Sequence, residues 1–292
     1  MPKAPGMAVP GQDEAIARAA DLIASSRYVV AMTGAGMSVE SGIPAFRGRD
    51  GLWTKFGQPP MDGFRRFRED PAGWWQRRVN REMDEHIIHL RNALQAARPH
   101  AGHHALARLE QTGMVKHVVT QNIDGLDLKA GLKNLIEIHG NRSRLRCIGC
   151  GNRTHIGDFI PQEPPEPCGT CGGIVKFDTV MFGEPVPADT MARAREQIDL
   201  ADCVLAVGTS ATVRPASGLL WIAKANGARL IEVNPAETKL TGVCDVVARA
   251  TAGQAMPSLV ERLAGTIATP LGLPSARQAL AVPATTSVPP VK

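Results

Sequence analysis

Four of the chain's six cysteines fall in two Cys-x-x-Cys pairs, Cys147/Cys150 and Cys168/Cys171. Thiolates two residues apart suit neighbouring corners of one tetrahedral Zn²⁺, and two such pairs complete an all-thiolate set of four ligands. Gly149, Gly151, Gly169, Gly172 and Gly173 allow the tight knuckles this needs. All four corners are sulfur, so no corner is left for a reacting water. The spacing therefore predicts a structural zinc, in preference to disulfides or a redox pair, holding a segment too small for a core of its own. Cys203 and Cys244 stand singly in apolar surroundings and read as small core residues. His139 is of another kind, because it closes the apolar run Leu135 to Ile138 just before the cysteine block. An imidazole titrates near neutral pH and suits removal of a hydroxyl proton, although a polar residue ending a strand is the plainer reading. His86 and His89 lie three apart on a helical stretch without a third ligand, and read as surface histidines.

These groups must be positioned by something, and the flanking sequence alternates short strands with helices. Asp13 to Ser25 carries Ile16, Ala19, Ala20 and Ile23 on one helical stripe. The apolar run Tyr28 to Thr33 leads into Gly34-Ala35-Gly36 and then Ser38-Val39-Glu40-Ser41-Gly42. Apolar strand, Gly-x-Gly turn and a polar helix start make up a phosphate-binding unit. The dinucleotide fingerprint is only partly met, since Val39 stands where a third glycine belongs, so a plain tight turn stays open. Residues 43–58 lack either period and carry Pro44, Phe46, Arg47 and Trp53, which suggests a functional loop. Helices are expected over 62–97, broken near Pro71, and over Ala101 to Glu110. Further strands are expected at Val115 to Val119, Leu135 to Ile138, Ile174 to Phe177, Asp202 to Val207, Arg229 to Val233 and Asp245 to Ala248. Helices are expected at Ala188 to Asp199, Ser217 to Ala225 and Pro257 to Leu263.

The residues at the ends of these strands are Gly34-Ala35-Gly36, Gln121-Asn122-Ile123-Asp124, His139, Gly208-Thr209-Ser210 and Asn234-Pro235. In an open parallel sheet such ends share one edge, where ligands bind. The expected fold is thus α/β: a Rossmann-like parallel sheet with helices on both faces, plus a smaller lobe. The sheet would use about 13–42, 103–141 and 185–264; the lobe would combine a helical insertion, about 43–102, with a four-cysteine zinc module, about 142–184. Residues 1–12 read as a flexible end. Residues 265–292 are rich in Ala, Pro and Thr and read as a disordered tail.

Composition sets the outer limits. With 292 residues, 43% apolar and 21% charged, the chain can build a sizeable core. A net charge of +5 allows anionic cofactors, but the arginines are scattered, so no specific nucleic-acid binding is expected. No apolar run approaches the roughly 20 residues of a membrane span. No secretory signal precedes the cysteines, which suggests a reducing, cytoplasmic setting.

The ordered set of motifs resembles the sirtuins, the Sir2-type NAD-dependent protein deacylases. Gly34 to Gly48 matches their first signature and Thr120-Gln121-Asn122-Ile123-Asp124-Gly125-Leu126 their second. His139-Gly140, the cysteine pairs, Phe182-Gly183-Glu184, Gly208-Thr209-Ser210 and Asn234-Pro235 follow in family order, so the resemblance spans about 13–264. It implies that Gly34, Ala35, Gly36, Ser38, Pro44, Phe46, Arg47 and Trp53 form the turn and loop closing over NAD. It implies that Asn122, Ile123 and Asp124 line the nicotinamide pocket and that Gln121 meets the adjoining ribose. Gly208, Thr209, Ser210, Asn234, Pro235 and Ala252 would frame the adenosine end. Val180, Met181, Phe182 and Gly183 would pair with an acyl-lysine protein or peptide as an added β-strand.

The implied reaction has the acyl oxygen attack the ribose C1′ as nicotinamide leaves. His139 would then take a proton relayed from the ribose hydroxyls, so that lysine and O-acyl-ADP-ribose are released. Three departures stand out. Asp127-Leu128 replaces the His-Gln many members carry, Ala250 replaces a glycine near the adenine, and Trp75-Gln76-Arg77-Arg78 stands where succinyl-preferring members have Tyr-x-x-Arg. The only tyrosine is Tyr28, so acetyl or another uncharged acyl group is expected. Protein ADP-ribosyl transfer, or a preference for longer or acidic acyl groups, is the alternative on the same scaffold.

Overall fold

A computed structural model of the chain describes residues 11–48, 51–80, 82–157, 161 and 163–265. The ends expected to be flexible or disordered lie outside these residues, apart from 11, 12 and 265. In chain order the elements are α1 (Gln12–Ala24), β1 (Val29–Thr33), a 3₁₀ turn (Ala35–Ser41), α2 (Leu52–Phe56), α3 (Gly63–Glu69), α4 (Pro71–Val79), α5 (Glu85–Ala96) and α6 (Ala101–Gln111). Then follow β2 (His117–Thr120), α7 (Leu126–Lys129), β3 (Leu135–Glu137), β4 (Gly140–Cys147), β5 (Arg153–His155), β6 (Val175–Thr179), α8 (Ala188–Leu200) and β7 (Cys203–Val207). The chain closes with α9 (Gly218–Ala225), β8 (Arg229–Val233), a short 3₁₀ turn (Thr241–Val243), β9 (Val246–Ala248) and α10 (Ala252–Leu263).

Six strands form one parallel sheet in the order β3-β2-β1-β7-β8-β9. Every residue of β1 and β7 is buried, as continuous apolar runs must be when helices cover both faces. On one face Ile16 and Ile23 of α1 pack with Leu106 and Leu109 of α6 and Met256 and Leu259 of α10. On the other, Ile198 of α8 packs with Leu219 and Leu220 of α9. Full burial of each such side chain contributes roughly 1.5–3 kcal/mol. The strand order reverses between β1 and β7, and this switch point marks the ligand crevice at the sheet's C-terminal edge.

The smaller sheet is antiparallel, in the order β5-β4-β6. Helices α2 to α5 form the helical insertion. The break at Pro71 arises because proline sits at the first turn of α4, where Asp70 accepts from the Gly73 amide at 2.8 Å. The two insertions touch: Trp75 Nε1 donates to the Val175 carbonyl at 2.9 Å, and the Phe64 amide to the Phe182 carbonyl at 3.0 Å.

Three expectations change. Residues 43–58 include the one-turn helix α2, which is too short to show a period. The segment after Gly36 is a 3₁₀ turn rather than an α-helix. Helix α10 begins at Ala252, not Pro257: Thr251 and Gln254 form a reciprocal cap, and Pro257 removes only one backbone donor near the helix start.

Candidate active site

Two glycine turns interlock at the crevice. The Gly34 amide donates to Val207 O at 3.1 Å and the Gly36 amide to Gly208 O at 2.8 Å. A Cβ on Gly36 would lie 2.7 Å from Gly208 Cα, and Gly208, at φ +61°, could place one only 2.3 Å from Met37 N. The β1 and β7 turns therefore meet backbone to backbone, leaving a surface bare of side chains on which an anionic group can settle. Thr209 and Ser210 continue this rim, and Ser210 shares a 2.8 Å hydrogen bond with Thr212. Asn234 joins from β8 by donating to Thr209 O at 3.3 Å, while Pro235 beside it is exposed. Ala252 is buried at the start of α10, held near the 3₁₀ turn because Glu40 accepts from the Gly253 amide at 2.6 Å.

The end of β2 supplies the amide and carboxylate groups. Gln121 is held between β1 and β7, donating to Thr33 O at 3.3 Å and Thr209 Oγ1 at 2.9 Å. Asn122 donates to Gly34 O at 3.0 Å and Ser38 Oγ at 3.2 Å, and Ser38 in turn donates to Asp124 at 2.8 Å. The second Asp124 oxygen accepts from the Leu126 amide at 2.8 Å. Burial pushes the Asp124 carboxyl above its usual range, partly offset by those two hydrogen bonds. Ile123, half-buried between Asn122 and Asp124, accepts the Arg142 amide at 3.1 Å through its carbonyl.

His139 lies between β3 and β4. Its Nδ1 is 3.0 Å from the Gln121 carbonyl. A carbonyl oxygen can only accept, so Nδ1 carries the proton and Nε2 keeps its lone pair. Burial pushes the imidazole's pKa below its ordinary value, and the bond to Gln121 opposes this. The result is a neutral base with one assigned tautomer, tied by that hydrogen bond to the turn that carries Asn122 and Asp124.

The loop expected to be functional reaches across the crevice. Arg47 donates to Thr212 Oγ1 at 2.8 Å, and its guanidinium lies 4.2 Å over the Trp53 ring. Trp53 in turn contacts Phe46 and Phe182, each with ring centroids 5.8 Å apart. Pro44 is half-buried in the same loop. The Val180 to Gly183 segment follows β6, and the Val180 amide donates to the His139 carbonyl at 2.9 Å. It thus runs alongside the histidine with Met181 and Phe182 half-buried and Gly183 exposed.

The sulfurs of Cys147, Cys150, Cys168 and Cys171 all lie within 4.8 Å of one another, at the far end of the smaller sheet. The pairs Cys147–Cys171 and Cys150–Cys168 are 3.6 Å apart. A Zn–S bond of about 2.3 Å implies tetrahedral edges of about 3.8 Å, so the four thiolates fit one Zn²⁺. Gly173 passes so close that a Cβ there would sit 2.9 Å from Cys147 Sγ.

Two groups of residues escaped the sequence reading. Asp127, noted only as a departure, is fully buried beside Asp124, and its carboxyl is pushed up to about 7, first by burial and then by the Asp124 charge. An ion cluster links Lys176, Arg146, Asp178 and Glu184, all buried, to Glu137, Arg144 and Arg153. Its signal was present in the alternating charges of Arg142-Ser143-Arg144-Leu145-Arg146 and Lys176-Phe177-Asp178, a period of two that marks one face of each strand.

Comparison with known proteins bears on this arrangement. The Sir2 family model matches residues 34–215. The NAD-dependent protein deacylase 2 of Pyrobaculum aerophilum is 41% identical over 244 residues, covering 84% of this chain and 94% of that protein. The NAD-dependent protein deacylase 1 of Archaeoglobus fulgidus is 40% identical over 242 residues, covering 82% and 95%. A solved complex of a Sir2 homolog with NAD superposes with a TM-score of 0.70 at 38% identity, covering 86% of this chain and 94% of that one. A Sir2 complex with a p53 peptide and NAD⁺ gives a TM-score of 0.68 at 31% identity, covering 86% and 98%.

Proposed function

The chain belongs to the Sir2 family and is an NAD-dependent protein-lysine deacylase, and from that premise we propose how its residues divide the work. Bound NAD supplies an electrophilic ribose carbon with nicotinamide as its leaving group. Gly34, Ala35, Gly36, Ser38, Gly208, Thr209 and Ser210 form the backbone-lined seat for its phosphates and adenosine ribose, with Asn234, Pro235 and Ala252 at the adenine end. Pro44, Phe46, Arg47 and Trp53 close the seat from above, and Arg47 brings positive charge. Asn122, Ile123 and Asp124 hold the carboxamide, and exclusion of water around it would favour departure of a neutral nicotinamide. Gln121, fixed on two sides, meets the adjoining ribose.

His139 is the general base. The observation that carries this reading is the Nδ1 hydrogen bond to the Gln121 carbonyl, which leaves Nε2 basic at the seam between the two sheets. Nε2 takes the proton of a ribose hydroxyl, and the Gln121 carbonyl stabilises the imidazolium that forms. The peptide lies as an added strand against Val180 to Gly183, so its backbone is read more than its sequence. Cys147, Cys150, Cys168 and Cys171 hold one Zn²⁺ that stabilises the smaller sheet and takes no part in the reaction. A reducing compartment such as the cytoplasm follows from the need to keep these thiolates reduced. Among the described residues no helix is long and apolar enough to cross a membrane.

An uncharged acyl group, acetyl foremost, is the proposed cargo. Trp75 stands where a phenol would be needed to grip a carboxylate, and its ring N–H is already committed to the Val175 carbonyl. Incubation with NAD and a panel of acyl-lysine peptides, with nicotinamide and products followed by mass spectrometry, tests the whole reading. O-acyl-ADP-ribose and free lysine are expected. ADP-ribosylated protein without deacylation would replace this reaction with ADP-ribosyl transfer, and succinyl turnover exceeding acetyl turnover would overturn the acyl preference.

A further inference from the structure

The ion cluster of the smaller sheet ends on the backbone of one short segment. Lys176 Nζ, only 1% exposed, donates to Phe177 O at 2.9 Å and Thr179 O at 2.6 Å, and meets Glu184 Oε2 at 3.0 Å. The same Glu184 oxygen accepts from the Met181 amide at 2.8 Å, while Oε1 is held by Arg146. Arg146 also bonds Asp178 at 3.0 Å. The Glu184 amide returns to the Met181 carbonyl at 2.9 Å. Three peptide groups within residues 177–181 are thus gripped by one ammonium and one carboxylate, both buried.

The segment so gripped is also pressed against the histidine. Val180 donates to the His139 carbonyl, and Gly140 meets the Asp178 carbonyl so tightly that a Cβ would lie 1.8 Å from that oxygen. A buried charge cluster of this kind is weak support for stability as such, because apolar side chains of the same volume pack about as well. Its distinctive product here is a set of fixed peptide directions. We propose that Lys176 and Glu184 are positioning residues for deacylation, setting the backbone of Thr179 to Gly183 on which the acyl-lysine peptide docks. This rests on the peptide-strand reading given above.

Glu184→Gln keeps the shape of the side chain but withdraws the charge that orients Met181 and pairs with Lys176. Zinc content and a thermal melt verify the fold, and initial rates give KM for acetyl-lysine peptide and for NAD separately. A peptide KM raised at least about tenfold, the size expected for a lost buried charged hydrogen bond, with NAD KM and metal content unchanged, supports the proposal. Lys176→Met should do the same, and Lys176→Arg should recover part of the loss. An unchanged peptide KM in a folded, zinc-loaded Glu184→Gln overturns the proposal, as does an equal rise in both KM values. If Glu184→Gln does not fold, Glu184→Asp keeps the charge but falls a methylene short of Met181; the same rise is expected, and its absence overturns the idea. Wild-type protein releasing no nicotinamide with any acyl peptide would instead sink the deacylase reading, so the two failures are distinguishable.

Discussion

Asp127→Asn should remove a pH dependence from the protein's stability. Asp127 is 2% exposed at the start of α7, close to Asp124 and within the field of Glu137. Burial and those two charges raise its carboxyl from 3.8 to about 7, and a hydrogen bond with Thr120 only partly offsets them. The folded chain therefore keeps a proton that the unfolded chain has already released between roughly pH 4 and pH 7, and stability falls as pH rises through that window. Integrating the linkage relation from pH 5 to pH 8 gives a loss of about 2–3 kcal/mol through this one group. Asparagine keeps the size and an oxygen for Thr120 but has no charge to bury. Urea unfolding of both proteins at intervals between pH 5 and pH 8 measures the effect directly. The variant should gain on the wild type across that range, and titrating groups remote from Asp127 cancel in the comparison. Two curves that stay parallel to within about 0.5 kcal/mol, near the limit of the extrapolation, would refute the assignment of Asp127 as a buried carboxyl with a raised pKa.

Other predictions concern the crevice and the zinc. His139→Ala should lower deacylation at least about 100-fold without shifting the thermal midpoint, since the side chain makes one hydrogen bond to a loop carbonyl. In the wild type the acid limb of kcat/KM should fall below the ordinary histidine value, because burial lowers the base's pKa; a limb above it would exclude His139 as the free base. Gly208→Ala forces a Cβ onto Met37 N at positive φ; calorimetry should show a loss of several kcal/mol or outright misfolding, and NAD affinity should drop with it. Cys168→Ser should abolish zinc binding by atomic absorption and lower stability together with activity; a zinc-free variant of full activity would end the structural assignment.

The parallel sheet was legible because both of its faces are buried, so Val29-Val30-Ala31-Met32 and Val204-Leu205-Ala206-Val207 read as unbroken apolar runs. The candidate ligand residues at the strand ends were legible because they sit where such runs stop, whereas Pro44, Phe46, Arg47, Trp53 and Ala252 were assigned to NAD only through the family resemblance. The smaller sheet was harder. The carboxylate partners of the β4 residues Arg144 and Arg146 lie on other strands, so the period of two in Arg142, Arg144 and Arg146 looks like a solvated charged face and not a buried one. The start of α10 was hidden because its cap depends on Glu40, far away in sequence, as well as on Thr251. Asp127 looked like a harmless departure, since its raised pKa depends on how closely β2, β3 and α7 converge.

Two residues, Ile138 and His139, separate the end of β3 from the start of β4. One sheet hands the chain to the other across that step. A rigid rotation displaces each atom in proportion to its distance from the axis, and an axis through this crossing would leave the imidazole almost stationary while the four cysteines, at the other end of β4, swing. The helical insertion would travel with them, being tied at Phe64 and Trp75. In such a rotation the cleft would open without moving the base. Structures with and without peptide, superposed on the six-stranded sheet, should show His139 in place and Cys168 displaced.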